Sequence, residues 1–180
     1  MTIDKTIRVN APADQVWTVL GHQFHQADRW ASSVDHSAPR DAGPLVGDAP
    51  FAQNGRACET SLGPFRETIE HYDEKARSFG YSAEGDKMPF FVKHLQNNWR
   101  VHPDGPTRSL VTMGLEARLL PVFAQLMGPI MKRQFGKVTT EATEELKHYI
   151  ETGQPHPRKV AAAKKAGHTP AASSSPALAT

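Results

Sequence analysis

Ala11-Pro12-Ala13-Asp14-Gln15-Val16-Trp17-Thr18-Val19-Leu20 follows directly on an alternating run, residues 3–9. In that run Ile3, Ile7 and Val9 share one side while Asp4, Thr6 and Arg8 share the other, the period of a half-buried strand. Pro12 suits a first helical position, and Val16, Val19 and Leu20 repeat at helical spacing, predicting a helix over 13–21. A strand that runs straight into a short amphipathic helix, with many strands still to come, calls for a curved sheet with a helix plugging one end. Such a shape encloses a cavity, and a cavity is a place for a ligand.

The strands that follow are marked by their turns. A short helix or loop over 24–31 precedes a strand near 33–38 and a Gly/Pro-rich loop through Gly43, Pro44, Gly47 and Pro50. Strands are predicted at 55–62, 65–72, 77–84, 96–102 and 108–118. Gly63-Pro64, Asp73-Glu74 and Pro103-Asp104-Gly105-Pro106 punctuate them, and turns this short make antiparallel neighbours. The closing element is a long helix in which Leu119, Phe123, Leu126, Ile130, Val138, Ala142, Leu146 and Tyr149 recur at threes and fours. Its apolar face is expected to lie on the concave side of the sheet. Gly128-Pro129 predicts a kink or break within it, and Gly153 its stop.

The fold class is therefore α+β: a curved antiparallel sheet of six to seven strands wrapped on a long C-terminal helix, with two short helices after strand one. The folded domain is expected over 1–152. Beyond Gly153 the chain is rich in Ala, Pro, Lys and Ser and poor in large apolar residues, which predicts a disordered tail over 153–180.

Composition narrows the class of protein. The 180 residues suffice for one substantial core, and the formal net charge of +2 is too small to argue for nucleic acid, which is not expected as a partner. The single cysteine, Cys58, permits no intrachain disulfide. No apolar run reaches the ~20 residues a membrane span needs, and no signal-peptide pattern opens the chain. A cytoplasmic protein is the expectation; oligomeric state is left open.

Four stretches together resemble the START-like, helix-grip (SRPBCC) superfamily, which includes polyketide cyclases, pollen-allergen-like proteins and lipid-transfer domains. They are APADQVWTVLG at 11–21 with Trp30 downstream, VGDAPFAQNGRACETSLGPFRETIEHYDEKARSFGY at 46–81, NNWRVHP at 97–103 and LKHYIE at 146–151. The resemblance implies a hydrophobic cavity between sheet and helix, holding a small apolar molecule of lipid-like or aromatic polyketide-like character.

Candidate chemistry concentrates on the 55–72 hairpin. With the turn centred on Gly63, Ala57 opposes Ile69, Glu59 opposes Glu67 and Ser61 opposes Phe65, while His71 shares their face by period two. Two carboxylates and an imidazole would then meet in a partly apolar space, where burial and like charge favour proton exchange with an enolisable ligand. A slip of one residue would part the two acids. Arg56, Cys58 and Thr60 are expected on the outer face.

A carrier reading takes Trp30, Phe24, Ile69, Phe65, Trp99, Val101, Met113, Phe123, Met127 and Met131 as cavity walls, with Trp30, Phe24 and Met131 at the gate. An enzyme reading, of the cyclase or dehydratase type that the resemblance suggests, takes Glu67 and His71 as base and acid, Glu59 as modulator and Tyr81 as hydroxyl donor. A third reading is an interaction module built on the basic tail, through Arg158, Lys159, Lys164 and Lys165. His22, His25 and Asp28 have a spacing that suggests a metal, but a site needs three or four ligands, and only His36 lies near as another. No metal and no cofactor are expected: the chain has no phosphate-binding glycine loop and no nucleophile elbow.

Overall fold

The computed structural model describes residues 1–167. Seven strands form one antiparallel sheet: β1 (Thr2–Val9), β2 (His36–Arg40), β3 (Gly55–Thr60), β4 (Gly63–Asp73), β5 (Ser78–Gly85), β6 (Val92–Pro103) and β7 (Ser109–Leu119). Their order across the sheet is β1-β7-β6-β5-β4-β3-β2. The hairpins place β3 to β7 side by side, and β1 closes on the last strand, with Ile3 opposite Leu115 and Val9 opposite Ser109. This is the helix-grip architecture expected from the sequence.

Between β1 and β2 lies the helical plug. Helix α1 (Ala13–Trp17) runs on into a π-helical turn, Thr18–His22, and a 3-10 segment, Phe24–Arg29. Trp17, 2% exposed, fills the space beneath it and donates its indole N–H to Glu74, 2.8 Å away in the β4–β5 turn. Gly21 leaves room for that indole: a Cβ there would come within 2.6 Å of the Trp17 ring. Tyr72 and His22 donate to the same carboxylate, at 3.0 and 2.8 Å, fastening the plug to the sheet.

Helix α2 spans Pro121–Thr152, with proline in its first turn and Gly153 in the left-handed conformation (φ 70°) at its end. It runs on through Gly128-Pro129 instead of breaking there; Pro129 only removes one internal hydrogen bond. Leu146, fully buried, and Ile150 pack its second half into the core, and burial of a leucine contributes about 1.5–3 kcal/mol. The expected apolar face does not hold in the first half. Leu126 and Ile130 there, and Val138 just beyond, are exposed, and among the described residues of that half only Met131 is buried.

Past the stop at Gly153, residues Pro157–Lys165 form a third helix, α3, where composition alone predicts disorder. Few apolar contacts hold it. Polar contacts do so instead: Arg158 reaches Glu144 and Glu145 of α2 at 2.8 and 2.9 Å, and the buried Lys159 donates to the Val34 carbonyl at 2.5 Å. Lys164 and Lys165 are exposed in the last turn of α3, and residues 168–180 of the predicted tail lie outside the described residues.

Candidate functional site

The hairpin register differs from the expected one by an odd number of residues. Gly63, at φ 100°, is the first residue of β4 rather than the turn centre, so Thr60 pairs with Gly63 across a two-residue turn, Ser61-Leu62. Arg56 therefore opposes Glu67, Cys58 opposes Phe65, and Glu59 opposes Pro64. An odd shift exchanges the two faces of β3. Arg56 and Cys58 turn inward, while Ala57 and Glu59 are exposed. The Glu59–Glu67 pair does not form; Glu67 instead forms a buried ion pair with the Arg56 guanidinium.

A second irregularity moves His71. The β4–β5 ladder shifts between Ile69 and His71, a β-bulge at Glu70. Period two is broken there, so Ile69 and Tyr72 face inward and His71 lies on the outer face. Of the four residues expected to carry acid–base chemistry, Glu67 and Tyr81 meet inside; Glu59 and His71 are outside.

Tyr81 and the Arg56 partner of Glu67 line a small hollow. Val19, Leu20 and Gln23 of the plug, Phe24 and Trp30 beyond it, and Arg56, Phe79, Tyr81 and Trp99 of the sheet enclose about 20 Å3, room for about one water molecule. Phe24, Trp30 and Trp99, taken as walls in the carrier reading, and Tyr81, taken as hydroxyl donor in the enzyme reading, all line it. Ile69, Val101 and Met113 are buried in the adjoining core, Phe65 is half-buried at its margin, and Phe123 and Met127 are half-buried on α2, with Met131 buried. Val19, Leu20, Gln23, Arg56 and Phe79 are the wall residues the sequence reading did not assign to a site. No periodicity marks Arg56, because β3 carries polar residues on both faces.

Arg56 is the organising group of the hollow. Its Nε donates to Glu67 and one Nη donates to the Phe24 carbonyl. The guanidinium lies 4.2 Å from the centre of the Phe24 ring and 5.2 Å from that of Tyr81. Burial alone would lower its pKa, but the groups around it, the Glu67 carboxylate foremost, together raise it. Burial, and then the Glu67 charge, hold the Tyr81 phenol protonated far above its ordinary range. Burial pushes the Cys58 thiol up to about 11, which rules out a resting thiolate at neutral pH.

The three metal-spaced residues diverge. His22 donates to Glu74, His25 to the Gly55 carbonyl at 3.0 Å, and Asp28 lies 3.9 Å from His36. No cluster of three metal-ligating side chains occurs among the described residues. His25 packs against Phe51, ring centres 4.8 Å apart. Burial, reinforced by the Arg56 charge and opposed by backbone carbonyls, lowers its pKa below the ordinary 6.5. The unfolded chain then binds the extra proton first, so stability falls as pH drops from 6.5 through the folded pKa. His71 and His156 are shifted the same way and add to the slope. Melting temperature is expected to decline from pH 6.5 to lower pH, and less steeply in His25→Gln. Equal slopes would show that His25 is not a contributor.

The family whose sequence model matches residues 1–151 is described as polyketide cyclase / dehydrase and lipid transport, and the chain belongs to it. Solved structures share the fold at low identity. A START superfamily protein from Mycobacterium smegmatis is 16% identical, with a TM-score of 0.66 over 85% of this chain and 99% of that one. Norcoclaurine synthase from Thalictrum flavum, in complex with dopamine and hydroxybenzaldehyde, is 16% identical, with a TM-score of 0.59 over 83% and 86%. The di-domain ARO/CYC BexL from the BE-7585A biosynthetic pathway is 13% identical, with a TM-score of 0.64; the match covers 83% of this chain and 47% of that one. No curated protein matches the sequence. No described helix is long and apolar enough to cross a membrane.

Proposed function

We propose that this protein binds a small aromatic or lipid-like molecule in the hollow between plug and sheet. The observation that carries the reading is the character of its walls: five aromatic side chains, Phe24, Trp30, Phe79, Tyr81 and Trp99, around one buried guanidinium. Aromatic walls reward apolar area at about 25 cal/mol per Å2, and a cation–π-stacked arginine offers a ligand oxygen a fixed donor. Family membership supports the same reading, and so do the named ligands of the plant synthase with this fold.

The hollow admits about one water, so binding a larger molecule requires its walls to part. The plug supplies the parting element. Trp30 and Phe24 sit on a segment held by side-chain contacts, outside the sheet ladder. A turnover role has less support, because two of the four residues drawn for it face solvent and Glu67 is engaged by Arg56.

The test is titration with the apolar fluorophore N-phenylnaphthylamine. Saturable enhancement with quenching of Trp30 and Trp99 is expected, together with displacement by naphthalene-sized aromatics. Val19→Phe, which fills the hollow, is expected to weaken binding at least about tenfold, or about 1.4 kcal/mol, because its ring takes the space a ligand ring would occupy. Absence of displaceable binding would overturn the proposal.

A further inference from the structure

Most of the large apolar side chains that this protein leaves in solvent gather in one region; Leu45, in the β2–β3 loop, lies outside it. Leu62 is 65% exposed, Phe90 69%, Val122 66% and Leu126 70%. The sheet register collects them at one end. Leu62 is the tip of the β3–β4 hairpin; Phe90 lies in the loop from β5 to β6; Val122 begins α2 just after β7. Val92 pairs with Leu119, which sets the Phe90 loop beside the start of α2. There the Phe90 ring stands edge-on to Phe123, with centres 5.2 Å apart. Val122, Leu126 and Ile130 continue the patch along one row of the helix at intervals of four.

Positive charge surrounds this apolar end. Residues 121–140 contain Lys132, Arg133 and Lys137 and no aspartate or glutamate. All three cations are exposed, and Arg133 and Lys137 prolong the apolar row. Lys87 and Lys93 flank Phe90, and Lys87 lies over Gly63 at the hairpin tip. The nearby carboxylates are largely matched: Asp86 by Arg66 at 2.9 Å, Glu116 by Arg118 at 3.8 Å, and Glu141 by Lys137 at 3.7 Å.

We propose that this end of the molecule docks on an anionic lipid bilayer, with Leu62, Phe90, Val122, Leu126 and Ile130 entering the interface and the lysines and arginines lying among the headgroups. The patch is made of protruding tips from three separate parts of the chain. A peptide or helix partner needs a groove to fill, whereas a bilayer accepts projections. A basic rim around an apolar face matches the charge of such a surface and lets long side chains reach the headgroups. The docking does not depend on what the hollow holds.

The experiment is sedimentation of the full chain with vesicles. Binding is expected to vesicles of equal parts phosphatidylcholine and phosphatidylserine, and to fall steeply with salt and with phosphatidylcholine alone. Phe90→Ser with Leu126→Ser is expected to weaken it at least about tenfold, as is the triple reversal Lys132→Glu, Arg133→Glu and Lys137→Glu. These positions are exposed, so unchanged circular dichroism and melting temperature in the variants check that the fold is intact. Lys164→Glu with Lys165→Glu, on α3, is expected to leave binding as it was. Absence of binding to the anionic vesicles overturns the proposal, as does binding that survives the patch variants but is lost with the α3 variant. A dimer dissociated by Leu126→Ser, with no vesicle binding, overturns it in favour of a contact between copies.

Discussion

Arg56→Ala is expected to destabilise the protein by about 3–5 kcal/mol, because it leaves the Glu67 carboxylate buried without its partner. Side-chain exposures of 7% and 11% put both members of the pair out of reach of bulk water. The guanidinium also caps the Phe24 carbonyl and stacks on two rings, so packing is lost as well. The double variant Arg56→Met with Glu67→Leu is expected to return to within about 1 kcal/mol of wild type, since apolar replacement of a buried pair is often neutral. Urea denaturation of the two single variants and the double variant checks this. A cost below about 1 kcal/mol for Arg56→Ala would show that the pair is not buried in solution. If the pair is kept for its ligand rather than for stability, the double variant folds and binds only wholly apolar probes.

Glu145→Ala is the second large effect, at about 3 kcal/mol. Glu145 is 1% exposed on α2 and joins three parts of the chain. It accepts from the Ser32 backbone N–H at 2.8 Å, from the Ser32 hydroxyl at 2.7 Å and from Arg158 of α3 at 2.9 Å. Its loss leaves the Ser32 donors without an acceptor and frees α3. Arg158→Ala is expected to cost only about 1 kcal/mol, since that guanidinium is about a third exposed and screened by water. The two substitutions remove the same contact, so their sum is expected to exceed the cost of the double variant. Additive values within error would show that Arg158 and Glu145 are not coupled.

Most of the architecture was legible because strands and their turns leave local signals. The alternation of β1, the helix after Pro12 and the punctuation between β4 and β7 each depend on neighbours in sequence. The site was less legible, because it depends on parity. Whether the turn centres on Gly63 or closes on it moves Arg56 and Cys58 from solvent to core. Nothing in β3 chooses between them: Ala57 and Cys58 are both small, and Arg56 and Glu59 both charged. The bulge at Glu70 carries no signal at all in the residues around it, and it alone removes His71 from the interior. Helix α2 misled in the opposite sense. Its first half has helical apolar spacing, but that row is turned to solvent rather than to the sheet. Helix α3 was invisible because ion pairs and one buried lysine hold it, and composition does not report pairing.

Cys58 has one more use. The only thiol of the chain sits 2% exposed, 3.9 Å from the Glu67 carboxylate, on the inner face of the sheet. No reagent reaches it unless the interior opens. The rate at which a maleimide labels the native protein is therefore a clock for that opening, readable without any engineered label, and an occupant of the hollow should slow it.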